Sequence, residues 1–221
     1  MNYTVRQSAG QLLIQVQLRQ QSKSAPLQLT GGDRLTVEFA GKVTDLKEDS
    51  AGSTTFVASF AASAAQPSVK VSFVRTGQSY SSMATVPPRF EVLSPSAAVA
   101  MNRQSADLDV VLQLPAASTP SLVGTTHCVL QSGSAWDGSI ALPFERVDGN
   151  NSQQRLRLPA AALARAVDNA FAQSTSKPQA CRLQPSWVLI QDGAAPAGLH
   201  AAGTRQAQFA AGVTIDFDAK P

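Results

Sequence analysis

The residues in this sequence most able to do chemistry are its only two cysteines, Cys128 and Cys181. A single, well-separated pair lacks the spacing of metal ligands, and a disulfide is its simplest use. A redox role would favour a CxxC motif or a cationic helix start beside one thiol, and neither is present. The pair therefore predicts a structural disulfide in an oxidising compartment, with two buried free thiols in a cytosolic protein as the alternative.

The two histidines, His127 and His200, give little support to a metal site or a catalytic triad. His127 precedes Cys128 on a predicted strand, so the two side chains face opposite sides and cannot easily share one metal. His200 lies in a predicted loop, far in sequence from other candidate groups. Because no GxSxG motif occurs, we expect no hydrolase triad.

Four carboxylates form two pairs at i and i+2 on predicted strands, Asp107 with Asp109 and Asp216 with Asp218. Such pairs can bind calcium at the edge of a sandwich or serve a glycosidase. Apolar residues alternate with these acids along each predicted strand, so the carboxylates are instead expected on a solvated outer face. We therefore expect no catalytic residue, metal or cofactor.

The two tryptophans differ in their surroundings. Trp187 adjoins the apolar run Val188-Leu189-Ile190 and is expected in the core, whereas Trp136 lies in the polar segment Gln131–Gly138. Aromatic rings on exposed loops often contact sugars or partner proteins. Trp136 is therefore the candidate contact residue, and a ring packed back on the domain is the alternative.

Apolar residues alternate with polar ones along most of the chain, which predicts strands. These strands position most of the candidate residues. The predicted strands of the first half are Gln11–Leu18, Arg34–Phe39, Thr54–Phe60, Val69–Phe73 and Phe90–Val92. Those of the second half are Asp107–Leu114, Thr126–Leu130, Ser139–Phe144, Gln154–Leu158, Ser186–Ile190 and Val213–Phe217, with Gln206–Ala210 as a further edge strand. Asp137-Gly138 is expected to form a turn.

One stretch has helical spacing. Leu163, Val167, Ala170 and Phe171 form an apolar stripe, and Pro159 suits the first helical position, so a helix is predicted near 159–173. Short strands with a single helix favour antiparallel sandwiches over an α/β layout. The predicted fold is all-β, with two immunoglobulin-like antiparallel β-sandwich domains in tandem, at 1–94 and 95–221, and the helix inserted in the second.

Composition excludes some partners. The net charge is +3 and charged residues make up 15% of the chain, but the basic residues are scattered singly, so nucleic-acid binding is not expected. No stretch has the length of a membrane span, and the first residues lack the pattern of a signal peptide. Because a disulfide is predicted, we expect that an export signal has been removed, and a lipid anchor upstream is the only membrane association foreseen.

Several segments resemble uncharacterised exported or lipid-anchored two-domain immunoglobulin-like proteins of Gram-negative bacteria. The segments that carry the resemblance are Gly32–Val37, Val69–Arg75, Phe90–Pro95, Gly203–Gln206 and Val213–Phe217. The resemblance implies a fold and a location, in the periplasm or anchored to the outer membrane, but no activity. Periplasmic pilus chaperones share the length and the basic pI, but their strand motifs are missing.

The sequence thus predicts a non-catalytic binding or structural module of the bacterial cell envelope, whose partner is an envelope protein or a glycan. A carbohydrate-binding module, favoured by Trp136, and an accessory domain of an envelope enzyme are the alternatives.

Overall fold

The computed structural model describes residues 1–8, 10–19, 27–62, 64–116, 118–150, 152–195 and 204–220. In these residues the chain forms strands and a single helix, which confirms the predicted all-β class. Two compact units are present, one of Met1–Arg89 with Leu189–Ala210 and one of Phe90–Val188 with Ala211–Pro221. The domain boundary after residue 94 stays a prediction; these units differ from it chiefly because Leu189–Ala210 clusters with the first part of the chain.

The strands have the following bounds. The first eight are β1 Asn2–Ser8, β2 Gln11–Gln17, β3 Arg34–Phe39, β4 Lys42–Asp45, β5 Lys47–Glu48, β6 Thr55–Ala61, β7 Ser68–Arg75 and β8 Gln78–Thr85. The others are β9 Glu91–Ser94, β10 Val99–Asn102, β11 Leu108–Gln113, β12 Ser121–Leu130, β13 Ala135–Gly138, β14 Glu145–Gly149, β15 Gln153–Leu158, β16 Pro178–Asp192, β17 Arg205–Gly212 and β18 Ile215–Asp218. The helix α1 spans Ala160–Ala170.

The strands of the first unit lie in two orders, β17-β1-β2-β6-β5 and β4-β3-β7-β8. Alternate residues of β1, β2 and β7 are buried, as period-2 patterning requires, and the rings of Phe39 on β3 and Phe60 on β6 lie 5.4 Å apart. Strand β1, which the sequence analysis missed, also pairs in parallel with β17. A parallel pair needs a long connection, and these two strands lie near opposite ends of the chain.

The second unit has a sheet in the order β14-β15-β11-β9 and a second sheet in which β12 joins β13 and β16. In that second sheet β18 lies between β16 and β10, and β10 runs parallel to β18. The predicted strand Ser139–Phe144 is wrong, because this segment is irregular and β13 lies before it instead. Its apolar residues are sequestered without strand pairing: Ile140 is buried and the ring of Phe144 lies 5.3 Å from that of Trp187. Trp187 itself is buried, as predicted.

Helix α1 confirms the predicted helix with shorter bounds, and its buried residues include Leu163, Ala164 and Val167. Pro159 is the N-cap and has no side chain able to cap. The backbone N–H of Ala160 instead donates to the Asp107 carboxylate at 3.1 Å. At the other end, the Lys177 ammonium donates to the carbonyl of Phe171 at 2.7 Å. Both helix ends are therefore fixed by residues outside the helix. No described helix has the length and hydrophobicity to cross a membrane.

One glycine in the first unit is required by close packing. A Cβ on Gly193 would lie 2.5 Å from the Tyr3 hydroxyl oxygen and 3.1 Å from the carbonyl oxygen of Met83. The Tyr3 hydroxyl is held in place by a hydrogen bond of 2.7 Å with the Ser82 hydroxyl. We expect Gly193→Ala to lower the free energy of unfolding by about 1–3 kcal/mol, as overpacked positions do. Urea unfolding followed by circular dichroism measures this change.

Gly124→Ala is the matched control, because a Cβ on Gly124 meets nothing closer than the Pro185 Cα at 3.5 Å. We expect this variant to unfold at nearly the same urea concentration as the wild type. Equal stability of the Gly193 and Gly124 variants would contradict the packing described around Tyr3.

Candidate functional site

The predicted disulfide is confirmed. Cys128 on β12 and Cys181 on β16 are bonded, with their Cα atoms 4.1 Å apart, and both residues are buried. The two cysteines are direct partners in the antiparallel pairing of these strands. The bridge therefore fastens two neighbouring strands of one sheet instead of joining the two sheets.

The disulfide lies at the centre of a row of inward-facing side chains that crosses five strands. Trp136 pairs with Cys128, Cys181 pairs with Phe217, and Phe217 pairs with Met101. Phe217, Met101 and both cysteines are buried. We call Trp136, Cys128, Cys181, Phe217 and Met101 the inner row.

Trp136 lies on β13 and not in the predicted loop, and its side chain is half-buried. Its ring packs edge-on against Phe171, with centroids 4.9 Å apart and an interplanar angle of 68°. The ring also covers Gly138, where a Cβ would lie 2.4 Å from ring carbons. The geometry thus gives Trp136 a packing role at the end of α1, and its role as a contact residue stays a prediction.

The opposite face of the same sheet carries charged side chains in the adjacent row. Asp137 pairs with His127, His127 with Arg182, and Arg182 with Asp216. The His127 Nδ1 lies 2.8 Å from the Asp137 carboxylate, and the Arg182 Nε donates to Asp216 at 2.8 Å. The latter hydrogen bond raises the pKa of Arg182. We call Asp137, His127, Arg182 and Asp216 the outer row.

An open groove of about 590 Å³ runs along this outer face. Its lining includes His127, Val129, Ala180, Arg182, Asp218 and Lys220. Val129 is 41% exposed, so an apolar side chain adjoins the charged row. The groove therefore combines charges of both signs with a small apolar surface.

The remaining candidate acids are engaged in structural contacts. Asp107 binds the start of α1, and Asp109 accepts hydrogen bonds from Arg155 at 2.5 Å and Arg157 at 3.0 Å. The hydrogen bond from Arg157, and to a smaller extent the one from Arg155, lowers the pKa of Asp109. No three His, Cys, Asp or Glu side chains in the described part of the chain are grouped as metal ligands. His200 lies outside the described residues.

Helix α1 is held beside the inner row by a two-point ion pair. The Arg103 guanidinium donates to both carboxylate oxygens of Asp168, at 2.9 and 2.7 Å, and also to the carbonyl of Ala219 at 3.0 Å. The hydrogen bond from Arg103 is the main cause of a lowered pKa at Asp168. A carboxyl whose pKa is lowered by folding stabilises the protein above its unfolded pKa and loses that contribution as pH falls through the folded value.

We therefore expect wild-type protein to exceed Asp168→Asn in stability at pH 6, and this advantage to shrink as pH falls below about 4. Half of the Asp168 side chain is exposed (52%), so solvent screening keeps the difference near or below about 1 kcal/mol. Urea titrations of both proteins between pH 6 and pH 3 measure it. A difference that is constant over this range would contradict the ion pair.

Sequence reasoning missed the outer row, although a signal for it was present. His127 and Arg182 each adjoin one of the cysteines. Had the disulfide been assigned to adjacent antiparallel strands, the same register would have paired His127 with Arg182 on the opposite face. The neighbours Asp137 and Asp216 depend on two further strand pairings, which no sequence pattern specifies.

No protein-family model matches the chain. A search of curated proteins likewise finds no significant match.

Proposed function

We propose that this protein is a non-catalytic binding module of the bacterial cell envelope that contacts a protein partner through the outer face of the disulfide-bearing sheet. The observation that carries the proposal is the outer row beside the groove. Mixed charges steer and orient a protein partner, and a neighbouring apolar side chain adds surface that can be buried. Val129 supplies that surface here.

The groove presents charged and apolar side chains that a macromolecule can contact. Its described lining residues do not form an arrangement suited to covalent catalysis. Its His127 and Arg182 side chains are each paired with a carboxylate. The His127 side chain forms its hydrogen bond with the Asp137 carboxylate, and no Ser, Thr or free Cys side chain is among the described residues that line the groove. These features support a binding role over an enzymatic one.

The disulfide supports the proposed location in the periplasm or at the outer membrane. Disulfides persist in oxidising compartments and are rare in the cytosol. Because Cys128 and Cys181 are both buried within one sheet, their bond has the position of a structural crosslink.

Site-specific photocrosslinking in the periplasm of a Gram-negative host tests the proposed surface. A photoreactive amino acid replaces Val129 on the outer face, and in a second protein it replaces Val147, which lies on β14 in the other sheet. The two positions are matched in exposure, at 41% and 42%. We expect a discrete protein adduct from position 129 that is absent from position 147.

Charge reversal then separates specific binding from chance proximity. Arg182→Glu places a third acid in the outer row next to Asp216, so we expect it to abolish the adduct from position 129. Arg182→Lys keeps the charge and should retain most of it. Identical adducts from both positions, or an adduct that survives Arg182→Glu, would overturn the proposal.

Trp136→Ala distinguishes this proposal from the carbohydrate-binding alternative. Since the ring packs on Phe171, we expect the variant to lose about 1–3 kcal/mol of stability, less than for a fully buried tryptophan. Trp136→Phe should lose less. Thermal unfolding and retention on envelope polysaccharides check both roles. Lost polysaccharide retention with unchanged stability would favour the carbohydrate-binding alternative.

A further inference from the structure

Strand β8 differs from the other strands that end a sheet in the described part of the chain. It has eight residues, pairs in sheet order only with β7, contains no charged residue and has no register shift along that pairing. The other end strands, β4, β5, β9, β10, β13 and β14, have two to five residues. Proteins usually protect sheet edges by short length, charges or bulges, and β8 lacks all three.

The register shows which backbone groups of β8 point away from β7. The two strands are joined by Thr76 and Gly77, both with positive φ, so Arg75 and Gln78 form the hydrogen-bonded closing pair of a two-residue hairpin. Hydrogen-bonded and non-hydrogen-bonded pairs then alternate along the hairpin. Ser79, Ser81 and Met83 therefore direct their N–H and C=O groups outward.

An observed hydrogen bond agrees with this assignment. The backbone N–H of Ala194 donates to the carbonyl of Met83 at 2.9 Å, and the Ser82 hydroxyl bonds to the Ala194 carbonyl. The chain itself thus occupies the Met83 end of the edge. Ser79 and Ser81 remain as outward-facing positions, and we call Gln78–Ser82 the β8 edge.

The side chains around the β8 edge indicate which strand would fit there. Tyr80 is half-buried on the inner face, where it stacks with Phe73 at a centroid distance of 6.3 Å. The Ser81 side chain lies on the opposite face of the sheet, where its hydroxyl forms a hydrogen bond with the Ser72 hydroxyl. On the paired strand β7, the two charged residues Arg75 and Lys70 form ion pairs with Asp33 and Glu38. A neutral strand therefore matches this edge better than a charged one.

We propose that the β8 edge is a strand-addition site for an uncharged extended peptide segment of another protein. The added strand forms backbone hydrogen bonds with Ser79 and Ser81, and it places an apolar side chain beside Tyr80 and small polar side chains beside the serines. This site lies in the first unit and is separate from the outer row. It stands or falls independently of the proposed function.

Proline substitution tests the site without breaking the pairing with β7. Ser79→Pro and Ser81→Pro each remove an outward N–H, which an edge strand tolerates, whereas Tyr80→Pro removes an N–H that bonds β7. We expect the two serine variants to unfold at nearly the wild-type urea concentration and Tyr80→Pro to be strongly destabilised. Large destabilisation by both serine variants would show that these N–H groups are already bonded within the protein, and would overturn the proposal.

Binding is measured with peptides selected from a phage-displayed library of random peptides on the wild-type chain. We expect selected peptides to alternate apolar and small polar residues and to bind each serine-to-proline variant at least tenfold more weakly by fluorescence polarisation. A peptide with the same composition in scrambled order is the control and should bind neither protein. Failure to select any peptide, or equal binding to wild type and both variants, would contradict strand addition.

Discussion

Replacing Cys128 and Cys181 together by alanine is expected to lower the free energy of unfolding of the second unit by about 4 kcal/mol. The bridge spans 53 residues in sequence, and a crosslink that closes a long loop removes many conformations from the unfolded chain. Both tryptophans, Trp136 and Trp187, lie in the second unit. Urea unfolding followed by tryptophan fluorescence therefore reports on the unit that contains the bridge.

Two comparisons identify the crosslink as the cause. Wild-type protein unfolded in excess reductant should show a comparable loss, because its thiols keep the side-chain volume but lose the covalent bond. Gly124→Ala, on β12 but away from the bridge, should change little. A double alanine variant as stable as the oxidised wild type would contradict a stabilising disulfide.

Phe217→Ala is expected to cost about 3–5 kcal/mol, the usual range for removing a buried aromatic ring. Phe217 is 1% exposed and pairs directly with both Cys181 and Met101 on the neighbouring strands. Its removal leaves a cavity in the inner row between Cys181 and Met101, beneath the strands that carry the groove. The same fluorescence-detected urea titration measures the loss.

Phe217→Leu is the conservative control, since it fills most of the ring volume and should cost less than the alanine variant. Photocrosslinking from position 129 adds a functional readout, because a disturbed inner row should also shift Arg182 and Asp216 on the outer face. A cost below about 1 kcal/mol for Phe217→Ala would contradict the packing described for the inner row.

The two predicted sites belong to different units of the chain, so their effects can be measured separately. Arg182→Glu acts on the outer row of the second unit, and Ser81→Pro acts on the β8 edge of the first unit. Each substitution should abolish its own contact and leave the other unchanged. A partner lost in both variants would mean that one ligand needs both surfaces.

Local patterns predicted the elements well where burial alternates along a strand. Leu35 and Val37 on β3, and Val69, Val71 and Phe73 on β7, are buried as their spacing indicated. The pattern was less informative where apolar residues are buried without strand pairing. Ile140 and Phe144 belong to an irregular segment that packs in the second unit, and they produced a false strand.

Trp136 shows why a candidate contact residue cannot be judged from its neighbours in sequence. The polar, glycine-containing segment around it indicated an exposed loop. The structure places it on β13, because the turn before it returns the chain to pair with β12. Its ring then meets Phe171, a residue that follows a helix 35 positions further along the sequence, and no local pattern encodes that contact.

The all-β class, the helix near Leu163 and the disulfide could all be predicted from the amino-acid sequence alone. These follow from side-chain alternation, helical periodicity and the presence of only two cysteines. The choice of neighbouring strands and their register became visible only in the folded chain, and the inner row, the outer row and the β8 edge all depend on that choice. Because backbone hydrogen bonds are alike for every residue, strand pairing is selected by packing among side chains that are distant in sequence.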